Sequence, residues 1–361
     1  LIQSGVHFTT EISSTSHDTS KLSEARESVI QFIRSLPDDD DPIILWLDDD
    51  LAFDSLIAHG NQIKLCRPWS FFHEVWAYHE LNPEIDIGLG DVTGAPPLPS
   101  SSTLYTNLVD LEANFKDKPT RSKVTRWSEK DYYYDLSELE RENSPWPMLD
   151  IKFEDSEILW NLLETGIVAR PLVATPSSLS IQNNRYVRGG NTIIFNSRWI
   201  NEIDHPKIPR RGDSIWTLLV RENGGKLRHF PIPLRHIRDN RFDEWKPVQS
   251  LKIWIYRLEV DLIGASFQKW FAGDKSEISP QDILLNRCNL QLECFHNSMS
   301  IVEKMPIQLR SELRVFLREG IECVSKLLKN PDVFDSYLKC VETKAKLHHG
   351  NNQSAGGFTH A

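Results

Sequence analysis

Three consecutive aspartates, Asp48-Asp49-Asp50, directly follow an unbroken apolar run over residues 43–47. Such a run is typical of a strand buried on both faces, and in open sheets ligands bind beyond the carboxyl ends of these strands. In extended backbone Asp48 and Asp50 point to one side, so these two can share a divalent cation that offsets their mutual repulsion. Carboxylate oxygens favour Mg²⁺ or Mn²⁺. The competing interpretation is a solvated acidic turn, which we assign to residues 38–41.

A glycine pair follows an arginine in Arg188-Gly189-Gly190-Asn191, just before a second apolar run over residues 192–195. Glycines let the backbone approach a ligand closely, and Arg188 can pair with a phosphate or with an acceptor group. The competing interpretation is an ordinary Gly-Gly turn.

The segment over residues 209–216 combines Arg210 and Arg211 with Asp213, next to a helix that is predicted to begin at Ser214. A carboxylate near a helix N-cap can act as a general base toward a hydroxyl group, and the two arginines can neutralise a diphosphate. An ordinary helix cap is the alternative.

Two histidines and several arginines lie in residues 229–238. His236 can complete a metal shell that the aspartates begin, and Arg235 or Arg238 can hold phosphate. A histidine that serves only packing or lies on the surface is the alternative.

Helical and strand-like segments alternate before these residues and between them, which predicts an α/β fold with a mostly parallel sheet flanked by helices. Apolar residues at three-four spacing predict helices over residues 22–35 and 68–81. Strands are predicted at residues 43–47, 85–89, 165–174, 192–195 and 227–233. Residues 95–150 change in composition and are interpreted as an insertion or long loop over the site, with a helix at 103–116.

Beyond residue 245 the periodicity is helical, which predicts a C-terminal α-helical domain. Its helices are predicted at residues 248–271, 281–304, 306–328 and 331–347. The predicted divisions are 1–245 for the α/β domain, 246–349 for the helical domain and 350–361 for a flexible tail.

Composition limits the function classes. The 361 residues include 41 basic and 51 acidic side chains, a net charge of −10, which argues against a nucleic-acid binder. The five cysteines are odd in number and form no CxxC pair, so we expect neither a disulfide framework nor a zinc site, and a reducing, cytoplasmic location. The sequence has no apolar stretch of membrane-spanning length. We therefore expect a soluble protein.

The order of these segments resembles that of GT-A glycosyltransferases, particularly the family-2-like branch, over about residues 22–245. The likeness rests on a helix, the strand that ends in aspartates, Gly90-Asp91-Val92-Thr93-Gly94, the Arg-Gly-Gly-Asn segment, the Arg-Arg-Gly-Asp-Ser-Ile-Trp segment and a closing histidine. It implies a GT-A-like sheet whose Asp48 and Asp50 bind Mn²⁺ or Mg²⁺ and the donor diphosphate. We also assign Asp49 to the donor diphosphate.

The same resemblance implies that Asp213 is the catalytic base and that His236 is a metal ligand. From their residue types we assign Arg188, Gly189, Gly190, Arg210 and Arg211 to the donor. Asp91, Thr93 and Trp216 are assigned to the acceptor side.

Two features depart from the family pattern. Gly212 stands where many relatives carry an acid, and the family's nucleobase pocket would lie on strands before residue 22. Because the sequence starts at Leu1 rather than at Met, we expect those strands to precede it.

The implied reaction is transfer of a sugar from a nucleotide-diphosphate sugar to a hydroxyl acceptor, with inversion. Two alternatives stay open. One is a sugar-phosphate nucleotidyltransferase, which usually has a Gly-rich N-terminal loop that is absent here. The other is a non-catalytic interaction protein built on a degenerate domain, with the helices beyond residue 245 as its working surface. These helices are also where we place an interface for a homo-oligomer.

Overall fold

The structure is a computed structural model. It describes residues 19–36, 42–48, 50–59, 62–68, 70–94, 108, 174, 192–206, 208, 210–237, 251–273, 278–304, 307–330 and 334–339. The elements in chain order are α1 (Thr19–Arg34), β1 (Ile43–Leu47), β2 (Leu51–Ala52), β3 (Ser55–His59), β4 (Gln62–Cys66), α2 (Phe71–Leu81), β5 (Ile87–Gly94), β6 (Thr192–Asn196), α3 (Arg198–Glu202), α4 (Gly212–Glu222), β7 (Leu227–His236), α5 (Leu251–Ala272), α6 (Pro280–Val302) and α7 (Ile307–Lys329). Among the described helices, none has the length and apolar character to cross a membrane.

Five strands form one sheet in the order β1-β6-β5-β7-β2, and β3 and β4 form a separate hairpin. The β5–β7 pair is parallel, whereas β1–β6, β5–β6 and β2–β7 are antiparallel. The fold is therefore α/β, but the expected mostly parallel sheet is wrong for the described strands. Alternating helices and strands predict parallel crossovers, yet β6 follows a long connection after β5, and a connection of that length leaves the strand direction open.

The sheet separates two apolar cores, because successive side chains of a strand point to opposite faces. On one face Leu45, Ile194 and Phe230 pack against α2. On the other face Trp46 and Leu89 join a larger cluster that includes α1, α3, α4 and the C-terminal helices. The strands are thus covered on both sides, as their apolar runs predict.

The C-terminal helices α5, α6 and α7 pack against one another, and α5 also packs against α4. Phe267 stacks on Phe334 with ring centroids 4.3 Å apart. A single cluster of buried residues continues from the sheet through α4 into these helices. The helical character predicted beyond residue 245 is confirmed for α5, α6 and α7, whereas the predicted domain boundaries stay a prediction.

The predicted insertion at 95–150 lies outside the described residues except for Leu108, which is buried in the larger cluster. Of the strand predicted at 165–174, only Ala174 is described; it forms an isolated parallel bridge with Ile57. The tail at 350–361 lies wholly outside the described part of the chain.

Candidate functional site

Three strands of the sheet end at the same edge. Because β6 is antiparallel to both β1 and β5, and β7 is parallel to β5, the strands β1, β5 and β7 run in one direction. Between Leu47 and Leu51 the chain passes from β1, at one side of the sheet, to β2, at the other side. Asp48, after β1, and Asp50, before β2, therefore both lie at the carboxyl edge of the sheet, which is where open sheets bind ligands.

Pairing of β2 with β7 brings Asp50 to His236. Leu51 lies opposite His236 in the ladder, and Ile237 N donates a hydrogen bond to the backbone oxygen of Asp50 at 2.8 Å. The side chains then meet, with Asp50 Oδ2 2.8 Å from His236 Nε2. His236 is buried, while 43% of the Asp50 side chain is exposed. Two residues that are 186 positions apart thus form one acid–imidazole pair whose Asp50 side chain is partly exposed.

This pair supplies two ligands of the kind that divalent cations use. A carboxylate suits Mg²⁺ and Mn²⁺, whereas an imidazole suits later transition metals, so the mixed pair fits Mn²⁺ better than Mg²⁺. In the described part of the chain, no three acid, histidine or cysteine side chains lie close enough together to hold a metal. Of the predicted ligands the structure therefore joins Asp50 and His236, and it does not add Asp48 to them as a third. Donor phosphates and water commonly fill the remaining positions around such ions.

Gly94 allows the end of β5 to approach the end of β7. Its φ of +82° lies in the left-handed region, and a Cβ there would lie 2.6 Å from the carbonyl oxygen of His236. Thr93 beside it is buried, and its hydroxyl accepts a hydrogen bond from Leu56 N at 3.1 Å. The Gly-Asp-Val-Thr-Gly segment thus supports the backbone that carries His236.

The predicted acceptor-side residues differ in their surroundings. Trp216 is buried and donates a hydrogen bond from Nε1 to the Ile203 carbonyl at 2.9 Å. This burial, and that of Thr93, argues against the predicted acceptor contacts of both residues. Asp91 is only partly buried, and its Oδ2 lies 3.6 Å from Nε2 of the buried His229. Asp91 is therefore the acceptor-side candidate that remains partly exposed.

The arginines before α4 are held by α5. Arg211 caps α4 with a φ of 68°, a left-handed conformation that costs a non-glycine residue roughly 1–2 kcal/mol. Arg210 Nε donates to Asp261 Oδ1 at 2.8 Å. A Cβ at Gly264 of α5 would lie 2.7 Å from the Arg210 carbonyl oxygen, so this glycine leaves room for the arginine backbone. Because Arg210 is ion-paired and Arg211 is buried, a diphosphate can reach them only by displacing these contacts.

Asp213 lies in the first turn of α4, buried between two nitrogen-bearing side chains. Arg26 Nη2 donates to its Oδ2 at 2.5 Å, and its Oδ1 lies 3.0 Å from His205 Nε2. Burial by itself would raise the pKa of Asp213, but the Arg26 charge and the His205 hydrogen bond outweigh burial and hold the pKa below its ordinary value. Asp213 is therefore an ionised carboxylate at neutral pH.

His205 links this carboxylate to the aspartate strand. Its ring is nearly parallel to that of Trp46, with ring centroids 6.2 Å apart and an interplanar angle of 10°. The corresponding values for Trp216 are 6.5 Å and 25°. Trp46 lies two residues before Asp48, so the Asp213–His205 pair is close to the carboxyl end of β1. A Cβ at Gly212 would lie 2.7 Å from His205 Cε1, and the glycine thus provides the space that the imidazole occupies.

Sequence reasoning did not identify Arg26 or His205 as part of the site. Arg26 had a detectable signal, since it lies four and seven positions before Ile30 and Ile33, on the buried side of α1. His205 had none, because its partners Trp46 and Asp213 belong to a distant strand and a separate helix.

An aromatic surface beside the aspartates was also not predicted. Phe53, which follows β2, lies 5.3 Å from Phe71 and 5.7 Å from Phe72 between ring centroids. Phe53, Phe72 and Trp76 are all about half exposed. An exposed apolar patch near a candidate site is a typical binding feature.

Four predicted donor residues, Asp49, Arg188, Gly189 and Gly190, lie outside the described residues. No family model matches the sequence, and neither a curated protein nor a solved structure shows significant similarity to the chain.

Proposed function

We propose that this chain carries the catalytic part of a metal-dependent glycosyltransferase that moves a sugar from a nucleotide-diphosphate donor to a hydroxyl acceptor. The observation that carries the proposal is the 2.8 Å contact between Asp50 Oδ2 and His236 Nε2 at the carboxyl edge of the sheet. A solvated acidic turn would not require a buried histidine against one of its carboxylates. The Asp213–His205 pair, which lies beside the carboxyl end of β1, adds a candidate proton acceptor.

Each group has a role in this reaction. Asp50 and His236 would hold a divalent cation, preferably Mn²⁺, which when bound supplies positive charge that stabilises the departing diphosphate. The acceptor oxygen attacks the anomeric carbon, the bond from that carbon to the diphosphate oxygen breaks, and its electron pair leaves with the diphosphate. The Asp213–His205 pair takes the proton of the acceptor hydroxyl. Direct displacement of this kind inverts the anomeric configuration.

Incubation of the full chain with a panel of nucleotide-diphosphate sugars and Mn²⁺ tests the proposal. We expect the wild type to release nucleoside diphosphate from one donor, and the Asp50→Ala and His236→Ala variants to lose that release. Glu319→Ala and His296→Ala are matched controls, because both side chains are exposed on the C-terminal helices.

The products separate the alternatives. Release of inorganic pyrophosphate from a nucleoside triphosphate and a sugar phosphate would identify a nucleotidyltransferase instead. Absence of donor binding and turnover across the whole panel, by protein whose fold is intact, would overturn the proposal in favour of a non-catalytic interaction protein.

A further inference from the structure

His205 has the surroundings of a catalytic imidazole rather than of a packing residue. It is nearly buried, its ring is close to parallel with the rings of Trp46 and Trp216, and one ring nitrogen lies 3.0 Å from the Asp213 carboxylate. An imidazole with one nitrogen hydrogen-bonded to a buried, ionised carboxylate is held in one tautomer.

We propose that His205 is the general base of the reaction and that Asp213 is the positioning residue that orients it. This inference rests on the proposed glycosyl transfer, and it reverses the roles that the sequence order predicts. Nε2–H of His205 donates to Asp213 Oδ1, which leaves the lone pair on Nδ1. As the acceptor oxygen bonds to the anomeric carbon, Nδ1 takes the hydroxyl proton, and the bond to the diphosphate breaks with its electron pair. The imidazolium is stabilised by Asp213 and afterwards loses its proton to water.

The surroundings of Asp213 make it poorly suited to take the proton itself. Each of its oxygens already has a nitrogen partner, Arg26 on one and His205 on the other. Protonation of this carboxylate would leave the Arg26 guanidinium without its counter-charge in a mostly buried position. Protonation of His205 instead places a cation against a carboxylate that is already ionised, with the Arg26 guanidinium on the other oxygen.

Gly212 leaves the space that the imidazole of His205 occupies. A Cβ at this position would lie 2.7 Å from Cε1 and 3.5 Å from Nδ1 of His205. Gly212, which stands where many GT-A relatives carry an acid, therefore lies beside Nδ1 of His205, the nitrogen that we assign as the base. An acid at position 212 would occupy this space, and the glycine leaves it to the imidazole.

The His205→Gln substitution distinguishes a base from a purely structural residue. The glutamine amide N–H can still donate to Asp213, but it has no basic nitrogen. We expect His205→Gln to lower kcat by about 10²–10⁴-fold with little change in the KM of the donor, and to change the pH profile of kcat. Wild-type kcat with an unchanged pH profile in folded His205→Gln would overturn the inference.

The tautomer of His205 supplies a readout that does not depend on turnover. Nitrogen-15 NMR of the full chain, assigned by comparison with His205→Gln, should show His205 protonated at Nε2 and unprotonated at Nδ1 at neutral pH. A Nδ1–H tautomer would overturn the inference even if the enzyme transfers sugar. Wild-type protein with the expected tautomer but without turnover of any donor would instead contradict the proposed function alone.

Discussion

Replacing Arg26 with Met tests the buried network around Asp213. The substitution keeps an unbranched, helix-compatible side chain but removes the guanidinium that lies 2.5 Å from Asp213 Oδ2. The side chains of Arg26 and Asp213 are 17% and 7% exposed, so the pair is mostly desolvated. Removing one partner of a buried ion pair typically costs about 3–5 kcal/mol, and the partial exposure of Arg26 reduces our expectation to about 2–4 kcal/mol.

The cost should depend on pH with a definite sign. The pKa of Asp213 is lower in the folded protein than in the unfolded chain, so the carboxylate stabilises the fold while it is ionised. This stabilisation is complete above the unfolded pKa and is lost as pH falls through the folded pKa. The destabilisation by Arg26→Met should therefore be largest near neutral pH and shrink below about pH 4.

Urea unfolding of four proteins measures these quantities: wild type, Arg26→Met, Asp213→Asn and the double variant. Lys326→Met is the matched control, because Lys326 pairs with Glu322 at 2.9 Å on an exposed helix face. Removing that pair should change the free energy of unfolding by less than about 1 kcal/mol. A cost of Arg26→Met no larger than that of Lys326→Met, or one that is unchanged in the Asp213→Asn background, would refute the reasoning.

Three further predictions concern other parts of the chain. Gly94→Ala should displace the end of β7, since its Cβ would lie 2.6 Å from the His236 carbonyl oxygen; we expect weakened Mn²⁺ binding, and unchanged metal affinity would contradict this. Gly264→Ala should destabilise the fold by about 1–3 kcal/mol, because the added methyl lies 2.7 Å from the Arg210 carbonyl oxygen; denaturant unfolding checks the value, and a neutral substitution would oppose it. Burial raises the pKa of Cys288 to about 12, so iodoacetamide at pH 8 should leave this thiol unmodified in folded protein. Mass spectrometry measures the modification, and alkylated Cys288 would contradict this prediction.

Local patterns predicted most of the elements that the structure describes. The helix expected at residues 68–81 is α2 (Phe71–Leu81), and the strand expected at 43–47 is β1 (Ile43–Leu47). Both depend on apolar spacing that is visible within one segment. The β3–β4 hairpin was not predicted, although Gly60-Asn61 between two short runs is a turn signal.

Strand direction could not be predicted in the same way. The connection from β5 to β6 is about a hundred residues long, and no local pattern determines the direction in which a strand returns after it. The antiparallel arrangement of β6 depends on long-range packing on both faces of the sheet.

The candidate site was likewise predictable only in part. The side-chain types of Asp50 and His236 indicated metal chemistry, but their contact depends on the two-residue strand β2 pairing with the end of β7. His205 carried no local signal, because its role depends on Trp46 and Asp213, which only the tertiary fold brings to it. Chemistry at the level of residue type was therefore predictable, whereas the partner of each residue was not.

Binding of Mn²⁺ by the full chain, measured by electron paramagnetic resonance with a nucleoside diphosphate present, tests the central claim most directly. We predict one bound Mn²⁺ per chain with a hyperfine coupling to one imidazole nitrogen. The coupling should disappear in His236→Gln, and binding should be lost in Asp50→Ala, while His296→Ala keeps both. Absence of Mn²⁺ binding, or a nitrogen coupling that persists in His236→Gln, would contradict the assignment of Asp50 and His236 as the metal site.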